Sequence, residues 1–385
     1  MPEQTNPGIA SKLPGLEALR FVAAFAVLIW HYQHFSYLAD VPVDLIRARL
    51  PLYGVLRPFY EAGEYGVWVF WCISGFIFFW KYRDAISDRS VTGWSFFVFR
   101  FSRLYPLHLA TLIAVAILQS LYFRAHGCFF VYQNNDIRHF LLQLFMAGKW
   151  GFERGDSFDG PVWSISVEVL VYVVFFLMLR FVTRSPLLNV VIVVACLDFS
   201  GQIFSCLAFF YAGGLAAMAR RAITAVAARA ALERIGWSVA ALVPVAIAAF
   251  GLQEQLVAWL FLLTYTPVLL FCLSGEIMLP AKVQGLVEAA GNMTYSSYLL
   301  HFPVQLLMTL GFASAGTALP FHDTAFLAVY LGATLLASHF AYRWFEAPAQ
   351  RLLRKRLLPA AANGQAKVAE VTSSPRRAPA ATRMP

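Results

Sequence analysis

The sequence predicts an all-α polytopic membrane protein. Of its 385 residues, 59% are hydrophobic and only 13% are charged, whereas soluble domains contain about 25% charged residues. Long apolar runs recur along most of the chain, and the basic residues concentrate in alternate stretches between them. This composition excludes an ordinary soluble enzyme, a disordered chain and a fibrous repeat. The formal net charge of +9 therefore bears first on membrane topology, and no nucleic-acid partner is expected.

About ten apolar runs are long enough, or nearly so, to cross a bilayer as helices, for which about 20 residues are needed. The runs at 66–82 and 186–200 are marginal in length. The predicted spans lie near 16–38, 66–82, 104–123, 162–182, 186–200, 203–219, 235–252, 256–273, 293–313 and 324–345. The first is expected to be a retained signal anchor, because no small-residue cleavage site follows its apolar stretch.

The basic residues predict that the N-terminus and the C-terminus are both cytoplasmic. With that orientation, 23 of the 30 Lys and Arg residues fall in inner loops or in the C-terminal tail, as the positive-inside rule requires. The chain then divides into a cytoplasmic segment 1–15, a membrane domain 16–350 and a basic, disordered cytoplasmic tail 351–385. Four of the five cysteines lie within predicted spans, so no outer disulfide is expected.

The first span carries Glu17, Arg20, His31 and His34, and ionisable residues inside a membrane are costly and often functional. Arg20 and His31 face the same way within about 20° and are separated by about 16 Å along the helix axis. One face therefore combines a cation near the cytoplasmic surface with an imidazole deep in the bilayer. The alternative is that Arg20 is a snorkelling anchor and that His31 packs against a neighbouring helix.

Later spans carry three further candidate groups. Arg100 and Arg103 are three residues apart, and paired guanidiniums suit phosphate groups, although a positive-inside flank explains them as well. Glu168 lies about 7–8 Å below Trp163 if this segment is helical, and a histidine of the first span is its candidate partner. His301 is a lone imidazole on an apolar face, for which a structural role is the commoner explanation.

From the residues alone, two classes of function remain open: an enzyme, and a transporter or flippase. The sequence contains no nucleophile elbow, phosphate-binding loop, dinucleotide fingerprint or metal-spaced Cys/His cluster, so we expect no bound cofactor and no metal. Buried Arg, His and Glu residues are also typical of a transporter or flippase for a glycan precursor or a small anion. Against that alternative, we find no inverted repeat and no symmetric pair of helices broken by Gly or Pro.

Six motifs in order resemble the acyltransferase-3 family of integral membrane acyltransferases, the group of bacterial O-antigen and exopolysaccharide O-acetylases. They lie at 16–20 together with His31, 66–76, 100–106, 163–168, 296–301 and 342–348. The resemblance covers about 16–355. Three positions depart from it: Trp68 stands where members often have Asp, Phe99 where many have another Arg, and Val169 where a second Glu is frequent.

The resemblance implies an enzyme of the bacterial cytoplasmic membrane that moves an acyl group, acetyl by expectation, from cytoplasmic acyl-CoA to a hydroxyl of a cell-surface or lipid-linked glycan. Acyl-CoA would be a co-substrate and membrane lipid the surroundings. Arg20, Arg100 and Arg103 would hold the CoA phosphates, and His31 would act as general base or as a transient acyl carrier. Glu168 would orient an imidazole. Supporting roles are expected for Glu17, His34, Ser166, Tyr298 and His301.

Overall fold

A computed structural model describes residues 13–43, 45–250, 255–275, 277 and 279–358. In this part of the chain the fold is almost entirely helical, which confirms the predicted all-α class. The strands of the described residues are a two-residue antiparallel pair, β1 (Tyr37–Leu38) and β2 (Val41–Pro42), just after the first helix. Residues 1–12 of the predicted N-terminal segment and residues 359–385 of the predicted tail lie outside the described residues.

Thirteen α-helices occur in the described residues. They are α1 (Pro14–His31), α2 (Tyr53–Ala62), α3 (Gly66–Ser87), α4 (Gly93–His126), α5 (Ile137–Leu144), α6 (Trp163–Leu177), α7 (Pro186–Ala195), α8 (Gln202–Ala222), α9 (Val226–Phe250), α10 (Gln255–Leu273), α11 (Ala281–Ser314), α12 (Thr324–Phe340) and α13 (Ala347–Leu357).

Each of the ten predicted spans coincides with one of these helices. Among the described residues, six helical segments are long and apolar enough to cross a membrane: Pro14–Ser36, Tyr53–Ser87, Gly93–His126, Gly160–Val182, Gln202–Ala222 and Thr324–Leu357. Two shorter apolar helices, Pro186–Asp198 and Ala258–Leu273, accompany them. The chain is therefore a multi-pass membrane protein by helix length and composition, while the count of ten spans and the orientation of the termini stay predictions.

The structure differs from the sequence prediction at several helix boundaries. Helix α4 begins at Gly93 rather than near 104, because Thr92 caps it by accepting a hydrogen bond from the Ser95 amide at 3.1 Å. The N-terminal part of α4 contains Arg100 and Arg103, which lower the mean hydropathy there, so a hydropathy profile does not include this part in the span. The tail predicted to be disordered from 351 begins inside α13, so 351–357 is helical. The segments that separate the first predicted span from the second and the third from the fourth contain the additional helices α2 and α5.

Glycines allow the closest helix contacts. A Cβ added at Gly75 of α3 would lie 1.8 Å from the Phe210 carbonyl oxygen of α8, so these two backbones touch directly. Near α1, a Cβ at Gly63 would lie 2.2 Å from the Ala26 carbonyl oxygen, and one at Gly66 would lie 2.6 Å from that of Ala23. Small residues at helix crossings are typical of membrane proteins, since close packing replaces the hydrophobic effect there.

The bundle brings together the helices that carry the candidate site. Helix α1 packs against α11, α3 and α2, and α11 also contacts α4 and α12. Helix α12 continues into a π-helical segment, Ala341–Glu346, which contacts both α4 and α11. Widened helical turns of this kind occur often at functional sites. Here the π-helical segment directs Glu346 into the interior, where it is 2% exposed.

Candidate functional site

Two groups of polar side chains lie at opposite ends of α1. The charged cluster consists of Glu17, Arg20, Arg100, Arg103, Glu168 and Glu346. The histidine cluster consists of His31, His34 and His301. Arg20 and His31 belong to the same helix, so the two clusters are about 16 Å apart along its axis.

Arg20 is held by an acidic residue one turn before it. Its Nη1 lies 3.2 Å from Glu17 Oε2, and both side chains are half-buried. Room for the Glu17 carboxylate comes from Gly291 of α11, because a Cβ there would lie 1.9 Å from Glu17 Oε2. Arg103 and Glu168 are the next charged groups in the electrostatic surroundings of Arg20. The structure therefore brings Arg20 of α1 and Arg103 of α4 into one cluster.

Arg100 and Arg103 both enter the charged cluster, but they have different neighbours. Arg100 Nη2 donates to Tyr82 Oη at 2.9 Å, and its guanidinium lies 4.7 Å from the centre of the Phe78 ring, a favourable cation–π arrangement. Arg103 is surrounded by the charges of Glu346 and Glu17. Arg100 thus points toward α3, and Arg103 points toward α1 and the π-helical segment.

The predicted pairing of Glu168 with a histidine of the first span is wrong. Glu168 accepts a hydrogen bond from Tyr172 Oη at 2.6 Å, lies beside the Ser74 hydroxyl, and is flanked by the charges of Arg20 and Arg100. The physical reason is that a half-buried carboxylate is stabilised more by permanent guanidinium charges than by a neutral imidazole. Glu168 therefore belongs to the charged cluster and does not orient His31.

Glu346 is a member of the charged cluster that sequence reasoning missed. It accepts a hydrogen bond from Ser296 Oγ at 2.6 Å, and Arg103 is its foremost charged neighbour. With it, three carboxylates oppose three guanidiniums. A carboxylate at the end of a predicted apolar span was a signal that could have found it.

The hydrogen bonds of the histidine cluster fix two tautomers. His31 Nδ1 lies 2.9 Å from the Val27 carbonyl oxygen, and His301 Nδ1 lies 2.7 Å from that of Tyr298. A carbonyl oxygen only accepts, so each Nδ1 carries a hydrogen and each Nε2 of the neutral rings carries a lone pair. The His31 ring centre is 4.7 Å from that of His301 and 4.9 Å from that of His34. His301 thus faces the candidate base.

Helix α11 supports this cluster with two further side chains. Gln305 Nε2 donates to the His31 carbonyl oxygen at 2.8 Å, which ties the end of α1 to α11. Tyr298 Oη donates to the Pro161 carbonyl oxygen at 2.5 Å, and its only hydrogen is thereby used. Ser164 Oγ, at 2.6 Å, must then donate to Tyr298 Oη. Tyr298 therefore joins α11 to the start of α6.

Ser166, the remaining predicted supporting residue, lies in neither cluster. Its hydroxyl accepts from the Lys149 backbone amide at 3.0 Å, and its carbonyl oxygen accepts from Trp150 Nε1 at 2.9 Å. These bonds fasten the loop that follows α5 onto α6. The structure therefore gives Ser166 a role in loop packing.

Asp159 is a second residue that sequence reasoning missed. It lies two residues before Pro161 and is 1% exposed, and the hydroxyl of Thr111 on α4 is its side-chain hydrogen-bond neighbour. The Asp159 carboxyl lies within electrostatic range of Tyr132 and Tyr298. Burial raises the pKa of this carboxyl well above its usual range. A single aspartate in a loop rich in glycine and charged residues gives no signal of burial in the sequence.

Within the described ranges, no group of three or more His, Cys, Asp or Glu side chains is arranged to hold a metal ion. What the arrangement offers chemically is a set of guanidinium donors at one end of α1. At the other end it offers an imidazole with an available lone pair.

Comparison with known proteins places this geometry in context. A family model described as an acyltransferase domain matches residues 13–343. Acyltransferase MdmB from Streptomyces mycarofaciens is 32% identical over 178 residues, which are 46% of this chain and 41% of that protein. The alignment thus spans less than half of this relative's length. No solved structure gives a significant match.

Proposed function

The chain belongs to the acyltransferase-3 family, and on that premise we propose that it is a membrane O-acyltransferase that uses acyl-CoA. The acyl group, acetyl in the simplest case, would pass from cytoplasmic acyl-CoA to a hydroxyl of a cell-surface or lipid-linked glycan. The membrane would be the bacterial cytoplasmic membrane, with the charged cluster toward the cytoplasm. The observation that carries the proposal is that α1 joins guanidinium groups at one end to His31 at the other, where the Nδ1 hydrogen bond leaves a lone pair on Nε2.

The charged cluster is the proposed site for the CoA phosphates. Guanidinium groups bind phosphate through paired hydrogen bonds and keep their charge at any physiological pH. Arg100 Nε is buried without a hydrogen-bond partner, so this guanidinium has a donor to spare. The carboxylates of Glu17, Glu168 and Glu346 hold the arginines in place while no anion is bound. Lys81 lies exposed at the rim, within electrostatic range of Arg100 and Arg103, where it adds positive charge.

His31 is the proposed general base. Its Nε2 lone pair would take the proton of the acceptor hydroxyl while that oxygen attacks the thioester carbonyl carbon. The new C–O bond forms as the C–S bond breaks, and the thiolate of CoA leaves with the proton that His31 took up. In the alternative, His31 Nε2 attacks the thioester carbon first, so that the C–N bond of acyl-His31 forms as the C–S bond breaks. The acceptor hydroxyl then displaces the imidazole as the C–O bond forms, and its proton passes to the CoA thiolate. In either case the thioester must reach about 16 Å from the charged cluster to His31.

The test is consumption of labelled acetyl-CoA by the purified protein in lipid nanodiscs with candidate glycans. We expect release of free CoA by the wild type and a loss of at least about 100-fold in His31→Ala, the range of general acid–base catalysis. The matched control is His339→Ala, because His339 is an exposed histidine of α12 outside both clusters. If no glycan supports CoA release, yet proteoliposomes show ionophore-sensitive uptake, the transporter alternative replaces the enzyme.

A further inference from the structure

Helix α13 is a basic helix that lies against the start of α4. It carries no acidic residue and four basic ones, namely Arg351, Arg354, Lys355 and Arg356. Two hydrogen bonds hold it in place. Trp94 Nε1 of α4 donates to the Leu357 carbonyl oxygen at 2.8 Å, and Arg354 Nε donates to Ser102 Oγ at 3.3 Å. The basic residues of α13 therefore have a defined position relative to α4.

One of these cations lies beside the charged cluster. The Arg354 guanidinium is 5.5 Å from the centre of the Phe99 ring, and Phe99 directly precedes Arg100 in α4. Tyr82, which accepts a hydrogen bond from Arg100, is within electrostatic range of Arg354 as well. Phe99 is also a position at which the sequence departs from the family motif, where many members have another Arg. Helix α13 thus brings a guanidinium to a place where α4 itself has none.

Arg351 extends the positive charge toward the π-helical segment. Its side chain is exposed, and it points about 60° away from Arg354 around the axis of α13. Tyr342, in the π-helical segment, is within electrostatic range of Arg351 and also of Arg103 and Glu346 of the charged cluster. The two arginines of α13 therefore border the same cluster from one side.

The charged cluster by itself has little net charge, because its three carboxylates oppose its three guanidiniums. A CoA molecule carries a diphosphate and, on its ribose, a phosphate monoester with a charge of about −1.5 to −2 at pH 7. Binding both groups requires cations beyond those of the cluster. Helix α13 supplies such cations and has no carboxylate of its own to oppose them.

The position of α13 fits the end of CoA that lies farthest from the thioester. Leu112 of α4 belongs to an apolar cluster with Phe302, whose ring centre is 6.2 Å from that of His34. Helix α13, in contrast, contacts Trp94 and Ser102 near the start of α4. The order along α4 is therefore histidine cluster, charged cluster and α13. The order along the donor is thioester, diphosphate and ribose phosphate.

Anionic lipid headgroups are the other phosphates that a basic helix at a membrane surface binds. Side chains that serve lipids in this way point away from the protein. Arg354 is instead turned onto α4, where it is half-buried against Phe99 and Ser102. This orientation favours a ligand that also occupies the charged cluster.

We propose that Arg351 and Arg354 bind the ribose phosphate of acyl-CoA, so that α13 makes the enzyme prefer CoA to a donor that lacks this phosphate. The inference rests on the proposed function in one respect, which is that the diphosphate occupies the charged cluster. Both arginines bind the donor and take no part in the bond changes of acyl transfer.

The experiment compares CoA with dephospho-CoA, which lacks only the ribose phosphate. Binding to the full chain in nanodiscs of zwitterionic phosphatidylcholine is measured by isothermal titration calorimetry, without any acceptor. The variants are Arg351→Gln and Arg354→Gln, each of which removes one cation of the proposed site. Arg356→Gln is the matched control. It removes the same charge from the same helix, but Arg356 is exposed and points about 160° away from Arg354.

We expect the wild type and Arg356→Gln to bind CoA at least about 10-fold more tightly than dephospho-CoA, the value of one hydrogen bond between charged groups. In Arg351→Gln and in Arg354→Gln this preference should fall to about threefold or less, because one charge-assisted contact is lost. Dephospho-CoA should bind to both variants as tightly as to the wild type. Added salt should reduce the preference of the wild type, since it screens exposed charges.

Two results would overturn the proposal alone. One is equal binding of CoA and dephospho-CoA by the wild type, which would assign the charge of α13 to the membrane surface. The other is an undiminished preference in both variants, even if Arg354→Gln weakens the two nucleotides equally, which would give Arg354 a structural role. Failure of the proposed function is distinguishable, because the wild type would then bind neither nucleotide and release no CoA from acetyl-CoA.

Discussion

Neutralising Glu346 tests whether the charged cluster holds its arginines by opposed charge. In Glu346→Gln the side chain keeps its size, and Ser296 Oγ, now 2.6 Å from the carboxylate, can still donate to the amide oxygen. What disappears is the negative charge facing Arg103. The substitution therefore isolates the electrostatic part of the interaction.

The magnitude follows from burial. Glu346 is 2% exposed, and removing one partner of a buried ion pair costs about 3–5 kcal/mol. Arg103 is half-buried and has Glu17 as a second acidic neighbour, which reduces that figure. We therefore expect a loss of about 1–3 kcal/mol, which for a chain of 385 residues corresponds to a melting temperature lower by about 1–4 °C.

The assay is thermal unfolding of the purified protein in nanodiscs, followed by intrinsic fluorescence, with Glu64→Gln as the exposed control. A double-mutant cycle with Arg103→Gln isolates the pair, and its coupling energy should exceed about 0.5 kcal/mol. An unchanged melting temperature in Glu346→Gln together with zero coupling would refute the opposed-charge account. A fall of equal size in Glu64→Gln would do so as well.

Three further outcomes are expected. Arg100→Ala should raise the apparent KM for acyl-CoA about 10-fold, the loss of one charge-assisted phosphate contact, and an unchanged KM would remove it from the phosphate site. Gly75→Ala should destabilise the fold by about 1–3 kcal/mol or more through overpacking, because its Cβ would lie 1.8 Å from a backbone oxygen, whereas Gly285→Ala, in open space, should not. Hydrogen bonds from His139 lower the pKa of Asp136, so the stabilisation of the start of α5 should be present above about pH 4 and disappear as the pH falls through the lowered value. Amide exchange of α5, compared with Asp136→Asn, measures this, and a difference that grows on acidification would contradict it.

The sequence was sufficient for what depends on a single helix. Hydropathy placed every predicted span on a helix of the described residues, although several predicted ends lie beyond the ends of the α-helix, and the eleven-residue spacing placed Arg20 and His31 toward opposite ends of α1. Boundaries failed where charge interrupts the apolar pattern, as at the start of α4, because a hydropathy profile does not detect a helix that extends beyond the membrane.

Partners across helices could not be predicted in the same way. Depth along a span follows from residue number, but the direction that Glu168 faces depends on which helices pack beside α6. A histidine was therefore predicted as the partner of Glu168, whereas in the structure Glu168 accepts a hydrogen bond from Tyr172 and lies near two arginines. His301 looked structural for the same reason, since its contact with His31 joins residues of α11 and α1.

The glycine contacts along the middle of α1 have a consequence for the identity of the acyl donor. Gly63 and Gly66 pack their backbone against Ala26 and Ala23 of α1, between the two clusters. This packing keeps the distance between the charged cluster and the histidine cluster constant. Under the proposed function, only a carrier whose arm matches this separation would present its thioester to His31 while its phosphates stay on the arginines. One residue inserted between Ala23 and Ala26 would increase the distance from Arg20 to His31 by about 1.5 Å and rotate His31 about the helix axis by about 100°. The reaction of a truncated thioester without phosphates would not depend on this distance. It would still depend on the direction in which the His31 imidazole points.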